Sequence, residues 1–183
     1  MALTSSQSYI VEDANIEDAA AIANILKKTW ASTYPNTAFG ISFNDITQHL
    51  DKFTPQTIAS RIANQEELNR HYWKVCVDNQ LAGICCALKD DANNVYTLLS
   101  LYIEPTYQNQ GIGSALLRVA LNWLGDDHDV DLGVATYNTN AISFYESFGF
   151  QITEPRHDEV TNLPSGKVIP EVTMVRKAKK STD

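Results

Sequence analysis

Cations are scarce in this chain: 14 lysines and arginines stand against 22 aspartates and glutamates, a formal net charge of −8 over 183 residues. Nucleic-acid binding needs clustered cations, so this balance argues against a nucleic-acid partner and favours neutral or cationic small ones. Arg176, Lys177, Lys179 and Lys180 form a basic end, which reads as a solvated tail. Cysteine is scarcer still: Cys76, Cys85 and Cys86 are an odd set, expected to be buried free thiols rather than a disulfide framework. His49, His71, His128 and His157 show no metal-ligand spacing to one another or to the cysteines, so no metal is expected. No apolar run approaches a membrane span, and Met1 to Ser8 has neither a basic start nor an apolar core. No membrane partner and a cytoplasmic location are therefore expected. Without a Pro/Gly/Ser-rich linker, a repeat or a low-complexity tract, the chain reads as one domain over residues 1–183, with flexible ends at 1–8 and 178–183.

What the chain does have is a glycine loop between two ordered runs. Tyr96 to Ile103 is apolar, rich in aromatic and branched residues and closed by Pro105, the mark of a buried strand. Ile112, Ala115, Leu116, Val119, Ala120 and Trp123 then recur at helical spacing up to a stop at Gly125. Between them stands Gln108-Asn109-Gln110-Gly111-Ile112-Gly113. Glycines just before a helix let backbone N–H groups converge on a phosphate at an electropositive end. A plain strand-to-helix turn uses glycine too, for its φ angles. A dinucleotide fingerprint would need glycine where Leu116 stands, and a P-loop would need a Gly-Lys-Ser/Thr ending.

The pattern that remains, Q-x-x-G-x-G, resembles the acyl-CoA pyrophosphate loop of the GNAT superfamily of N-acetyltransferases. A second segment, Asn138 to Phe150, resembles that superfamily's other signature, N-x-x-A-x-x-F-Y-x-x-x-G-F. On its own it reads as an amphipathic helix capped by Asn140 or Thr139, with Ala141, Phe144, Tyr145 and Phe148 on one face and Gly149 as the stop. The remaining elements are a strand at 9–11, a helix capped by Asn15 or Asp13 that carries Ile16 to Trp30, and helices at 44–50 and from Thr54-Pro55 to about Leu68. Strands follow at 71–77 and 81–88 around Asp78-Asn79-Gln80, at 130–135, at 150–153 and at 167–176.

The resemblance covers residues 9–177 and implies an α/β (α+β) GNAT fold: a mixed, mostly antiparallel central sheet of about seven strands, flanked by helices, with splayed central strands. It implies acetyl-CoA as co-substrate, with its arm paired to Leu101, Tyr102 and Ile103. The pyrophosphate would rest on the amides of Gln108, Asn109, Gln110, Gly111, Ile112, Gly113 and Ser114, with Asn138 on the CoA arm. Homodimers are common among such proteins. A primary alkylammonium, with pKa about 10.4, must lose a proton before it attacks the thioester, at about 4 to 5 kcal/mol. The oxyanion then needs a donor and the departing thiolate an acid. Tyr145 matches the family's general acid, although it also reads as a core aromatic.

The general base departs from the family's pattern. Gly133 and Leu99 stand where relatives carry carboxylates, leaving Glu104 first, then Tyr96, Asp158, Glu159, Glu171 or an ordered-water wire. On the acceptor side, Trp30, Tyr34, Phe39 and Glu171 are substrate candidates, though Trp30 reads equally as core. Trp30/Tyr34 spacing and Ile169 to Met174 resemble a branch that includes polyamine acetyltransferases, which implies a polyamine-like amine. A peptide N-terminus or a lysine is the alternative acceptor. A CoA-binding sensor without turnover is the alternative of another class.

Overall fold

A computed structural model describes residues 9–153 and 161–179. One sheet holds seven strands in the order β1-β2-β3-β4-β5-β9-β6. They are β1 (Glu12–Asp13), β2 (Arg70–Val77), β3 (Gln80–Asp90), β4 (Val95–Ile103), β5 (Val130–Ala135), β6 (Phe150–Ile152) and β9 (Glu171–Arg176). A separate hairpin pairs β7 (Thr161–Asn162) with β8 (Val168–Ile169). The helices are α1 (Ala19–Thr33), α2 (Phe43–Leu50), α3 (Pro55–Ala63), α4 (Ile112–Leu124) and α5 (Thr139–Glu146). All neighbours in the large sheet are antiparallel except β4 and β5. The mixed, mostly antiparallel architecture implied by the sequence is the one the chain forms.

Each face of the sheet carries its own core. On one face α4 presses Ile112, Leu116, Leu117, Ala120 and Leu124, all at 0% exposure, against β3 and its neighbours, and Tyr145 from α5 joins them. On the other face Ile22, Ile25 and Trp30 of α1 pack with Ile46 of α2, Ile58 and Ile62 of α3, and Tyr72 and Ile84 of the sheet. Burying such side chains contributes roughly 1.5–3 kcal/mol each. Gly83 permits the closest approach: a Cβ there would stand 2.8 Å from Ile103 Cδ1 and 3.0 Å from both Ile112 and Leu116.

The central strands diverge at a defined point. β4 and β5 share one register pair, Thr97 with Asp131. Ser100 faces Cys86 while Leu98 faces Ala87, so Leu99 is an extra residue in β4. A bulge of this kind bends its strand and interrupts the ladder. Beyond it the strands part, and the gap becomes the mouth of a cleft.

Several boundaries differ from the sequence reading. The first strand lies at 12–13 rather than 9–11. α3 starts at the Thr54 cap and Pro55 but stops at Ala63, because Asn64-Gln65-Glu66-Glu67 offers no apolar stripe and Asn69 turns the chain at φ 53°. The last strand is broken at Pro170, which has no N–H for the ladder. The buried side of α4 is turned toward Leu117, Leu121 and Leu124, leaving Ala115, Val119 and Trp123 half-buried. α5 is capped by Asn138, not Thr139 or Asn140: Asn138 Oδ1 accepts the Ala141 N–H at 3.3 Å.

Candidate active site

The gap between β4 and β5 opens a cleft of about 790 Å³, walled by α1, β4, the glycine loop, β5 and α5. Among the described residues lining it, none carries a formal charge. An anion here must be held by backbone dipoles rather than by lysine or arginine.

The glycine loop has the form for that task. Gly111 is the N-cap of α4 at φ 88° and supplies no side-chain cap. The first hydrogen bond of the turn runs from Ala115 N–H to Gly111 O at 3.0 Å. The amides of Ile112, Gly113 and Ser114 therefore sit at a helix start without an intrahelical acceptor. Asn109, at φ 60°, turns the loop before it. Gln108, Asn109, Gly111, Gly113 and Ser114 line the cleft. Gln110 turns away, with its side-chain amide donating to Thr106 O at 3.1 Å, and Ile112 buries its side chain in the core, so neither brings a side chain to the cleft. A neutral cleft ending on an uncapped helix start fits a pyrophosphate.

Below the loop, the edge of β4 is open. Glu104 N–H bonds to Ala82 O across β3 at 2.9 Å, and the pleat alternates from there. The peptide groups of Leu101 and Ile103 are thereby turned toward the gap. Gln108 Nε2 donates to Ile103 O at 3.3 Å and ties the loop to this edge. Their side chains join the α4 core, whereas Tyr102 packs on the α1 face.

A tyrosine cluster closes the inner end. Tyr145, 9% exposed, lines the cleft; burial first, then the neighbouring Cys85 and Tyr102, hold its phenol well above the ordinary value. Tyr34 is also pushed well up, by burial first and then by Tyr102, Glu171 and Tyr145. Tyr102 is raised by burial, against which the Trp30 indole and Tyr34 hydroxyl work. Tyr137 donates to Tyr34 O at 2.9 Å and stacks on Phe39 at 5.4 Å. Trp30 packs against Tyr34 with ring centroids 4.4 Å apart. The sequence reading missed Tyr137, although it stands directly before the Asn138 motif.

The carboxylate candidates separate clearly. Glu104 pairs with Lys28 Nζ at 2.9 Å, accepts the Thr106 N–H at 3.0 Å, and is also bonded by the Thr106 hydroxyl. Those contacts, Thr106 foremost, hold it below its ordinary range, and it does not line the cleft. It is a cap and an ion-pair partner, which argues against Glu104 as the base. Tyr96 lies at the far end of β4, bonded to Asp91 at 2.7 Å and pushed up to about 12 chiefly by that bond. Asp158 and Glu159 lie outside the described residues. Glu171 is different. It enters from β9, where it faces Ala135, and its Oε2 lies 3.6 Å from the point a Cβ on Gly133 would occupy. Its Oε1 accepts from Thr161 at 3.1 Å, and its charge reaches Tyr34, Tyr102 and Tyr137. Glu171 thus brings a carboxylate from β9 beside Gly133 of β5.

Residues 21–150 match the model of the acetyltransferase (GNAT) family. The chain belongs to that family. It is 32% identical over 94 residues to N-acetyltransferase family 8 member 2 of Rattus norvegicus, across 47% of this chain and 42% of that protein. It is 28% identical over 82 residues to the N-acetylaspartate synthetase of Xenopus tropicalis, across 44% of this chain and 30% of that protein. The chain thus spans less than half the length of these relatives. Among solved structures, the PaiA N-acetyltransferase of Thermoplasma acidophilum in complex with coenzyme A superposes with a TM-score of 0.76 at 22% identity, covering 93% of this chain and 99% of that one; at that identity the likeness shows the fold. The family match and the coenzyme A held by the PaiA structure support acetyl-CoA as co-substrate. Among the described residues there is no group of three or more His, Cys, Asp or Glu side chains that could hold a metal, and no helix is long and apolar enough to cross a membrane.

Proposed function

We propose that this chain is an acetyl-CoA-dependent N-acetyltransferase that acetylates a small primary amine, with Tyr145 as general acid and Glu171 as general base. The observation that carries the reading is Tyr145 in the lining of a cleft with a phosphate-suited mouth, with Glu171 behind that lining and near enough for its charge to act on Tyr34, Tyr102 and Tyr137. When bound, acetyl-CoA supplies an activated acetyl group on a thioester. The Leu101 and Ile103 peptide groups and the α4 amides orient it, with Asn138 beside its arm.

Glu171 takes the proton that the alkylammonium must lose, directly or through a water, and the tyrosines around it form a path of hydroxyl groups. A backbone N–H at the open edge of β4 offers a donor to negative charge developing on the carbonyl oxygen. Tyr145 keeps its proton at neutral pH because burial disfavours the phenolate, and so has one to give to the departing sulfur. The intact acid argues against a binding module without turnover. The Tyr137–Tyr34 bond and the Phe39 stack narrow the acceptor side, which favours a small molecule over a folded protein segment; the polyamine-like class implied by the sequence is one such molecule. The N-acetylaspartate relative is named for a small product as well.

The test is to incubate the protein with acetyl-CoA and a panel of polyamines, amino acids, aminoglycosides and peptides, following thiol release and product mass. Acetylated product from a small amine is expected, with Glu171→Gln lowering kcat/KM by about 10- to 100-fold and most strongly at low pH, where less free amine is available. Tight acetyl-CoA binding with no acetylated product from any acceptor would leave only the binding module.

A further inference from the structure

A second cavity, of about 200 Å³, lies on the α1 and α3 side of β4. Trp30, Phe53 and Tyr72 supply aromatic walls, and Arg61 and Arg70 supply positive charge. Leu99, Ser100 and Tyr102 border both this cavity and the cleft. The cavity and the cleft thus adjoin along β4.

Two buried donor atoms beside this cavity lack a hydrogen bond. Arg70 Nε is buried without a hydrogen-bond partner, and so is the indole N–H of Trp30, a residue only 8% exposed. The indole still lies near enough to the Tyr102 hydroxyl to oppose the rise of its pKa. Arg61 lies over the Phe53 ring with Cζ 5.3 Å from its centroid, and Lys52 Nζ is 5.2 Å from the same centroid. Among the described residues no carboxylate pairs with Arg61, Arg70 or Lys52. Neighbouring groups bring no negative charge at neutral pH either: burial pushes the Cys86 thiol and the Tyr72 phenol each up to about 12. Burial, followed by the charge of Arg61, holds Lys52 below its ordinary value. In a chain of net charge −8, this is a concentration of cations without a carboxylate partner among the described residues, beside the acceptor end of the reaction.

We propose that this cavity receives a carboxylate on the acceptor, so that the substrate is a small amino acid carrying both a primary amine and a carboxylate. The inference rests on the N-acetyltransferase reading above. A guanidinium presents a planar fork of donors that matches a carboxylate, and the unpartnered Trp30 and Arg70 donors supply further bonds. The apolar walls suit a short methylene chain. A polyamine would bring further positive charge against Arg61, Arg70 and Lys52, so the site selects against the polyamine-like acceptor that the sequence resemblance implies.

The experiment uses the intact protein, acetyl-CoA and glycine, β-alanine, 4-aminobutyrate and 5-aminopentanoate, each paired with the alkylamine that lacks its carboxylate, alongside putrescine and spermidine. At the chain length that fits, the carboxylate-bearing member is expected to exceed its partner by about tenfold or more in kcat/KM. Arg61→Gln and Arg70→Gln are expected to remove that preference by raising KM for the amino carboxylate, with melting temperature and acetyl-CoA affinity reporting whether the variants fold. Should neither variant fold, the paired panel on the unaltered protein decides. Acetylation of alkylamines or polyamines as fast as, or faster than, every amino carboxylate overturns this inference and leaves the N-acetyltransferase reading standing. Acetyl-CoA binding with no acetylated amine in any pair, and none in the wider acceptor panel, overturns both.

Discussion

The two halves of the site are built from different materials. The donor half, formed by β4, the glycine loop and α4, offers backbone: an open strand edge and a helix start capped by Gly111 at φ 88°. The proposed acceptor half, formed by α1, α3, β5 and β9, offers side chains: Tyr34 and Tyr137 lining the cleft, Glu171 beside Gly133, and Arg61 and Arg70 in the side cavity. Backbone recognition tolerates change at most side chains but depends on a few conformations that only certain residues adopt. Side-chain recognition is free to draw on residues distant in sequence. One scaffold can thus hold a fixed donor while its acceptor varies.

The sharpest break between the halves should come at Tyr145, where they meet. Tyr145→Phe removes the proton donor and keeps the ring in its core. A fall of about a hundredfold in kcat is expected, with little change in acetyl-CoA affinity. The raised phenol pKa adds a pH signature. Its proton remains bound beyond the ordinary phenol value near 10, so kcat should show no alkaline decline from this group below about pH 10. An alkaline limb in kcat with an apparent pKa below 9 that vanishes in Tyr145→Phe would contradict the burial argument. Unchanged turnover in the variant would remove Tyr145 as the acid.

The same contrast explains what could be read from the chain. Gln108 to Gly113 and Asn138 to Phe150 are contiguous, because a helix start and its loop are local structures, and each carries its own spacing. β4, β5 and α4 follow the sequence pattern to within a residue or so for the same reason. The acceptor side is not local. Glu171 reaches the surface of Gly133 only because β9 pairs antiparallel with β5, and that register is set by packing across the sheet. Arg61 and Arg70 meet only after α3 ends early and the chain turns into β2. Glu104 stands first among the base candidates in the sequence, but the turn at Pro105 commits it to Thr106 and Lys28.

A smaller and more selective effect is expected at Gly111. A Cβ there meets nothing within 4 Å, so a side chain is opposed by backbone strain rather than by a clash. An L-residue at this φ costs on the order of 1–3 kcal/mol. Gly111→Val should move the loop and weaken acetyl-CoA binding by about tenfold, seen by calorimetry, while KM for the amine changes little. An unaffected dissociation constant would show that the loop is only a turn.

The smallest effect should be confined to the acceptor half, through Asp45. This carboxylate, 5% exposed, accepts from Lys167 Nζ at 2.7 Å and caps α2 through Ser42, so it ties the segment between β7 and β8 to the helical layer. The Lys167 bond first, then those from Ser42, hold its pKa well below the carboxylate range. A depressed folded-state pKa means that the unfolded chain binds the proton more tightly. The stabilisation is therefore complete above about pH 4, the ordinary carboxylate value, and is lost as pH falls further toward the folded one. Asp45→Asn should lower the melting temperature by a few degrees at pH 7 and flatten its dependence on pH below about 4. Acetyl-CoA affinity should be unchanged at pH 7, since the hydrogen bonds of this pair run to each other and to Ser42 rather than to β4, the glycine loop or α4. An equal loss of donor affinity would mean that the two halves are mechanically coupled and that their separation is one of chemistry alone.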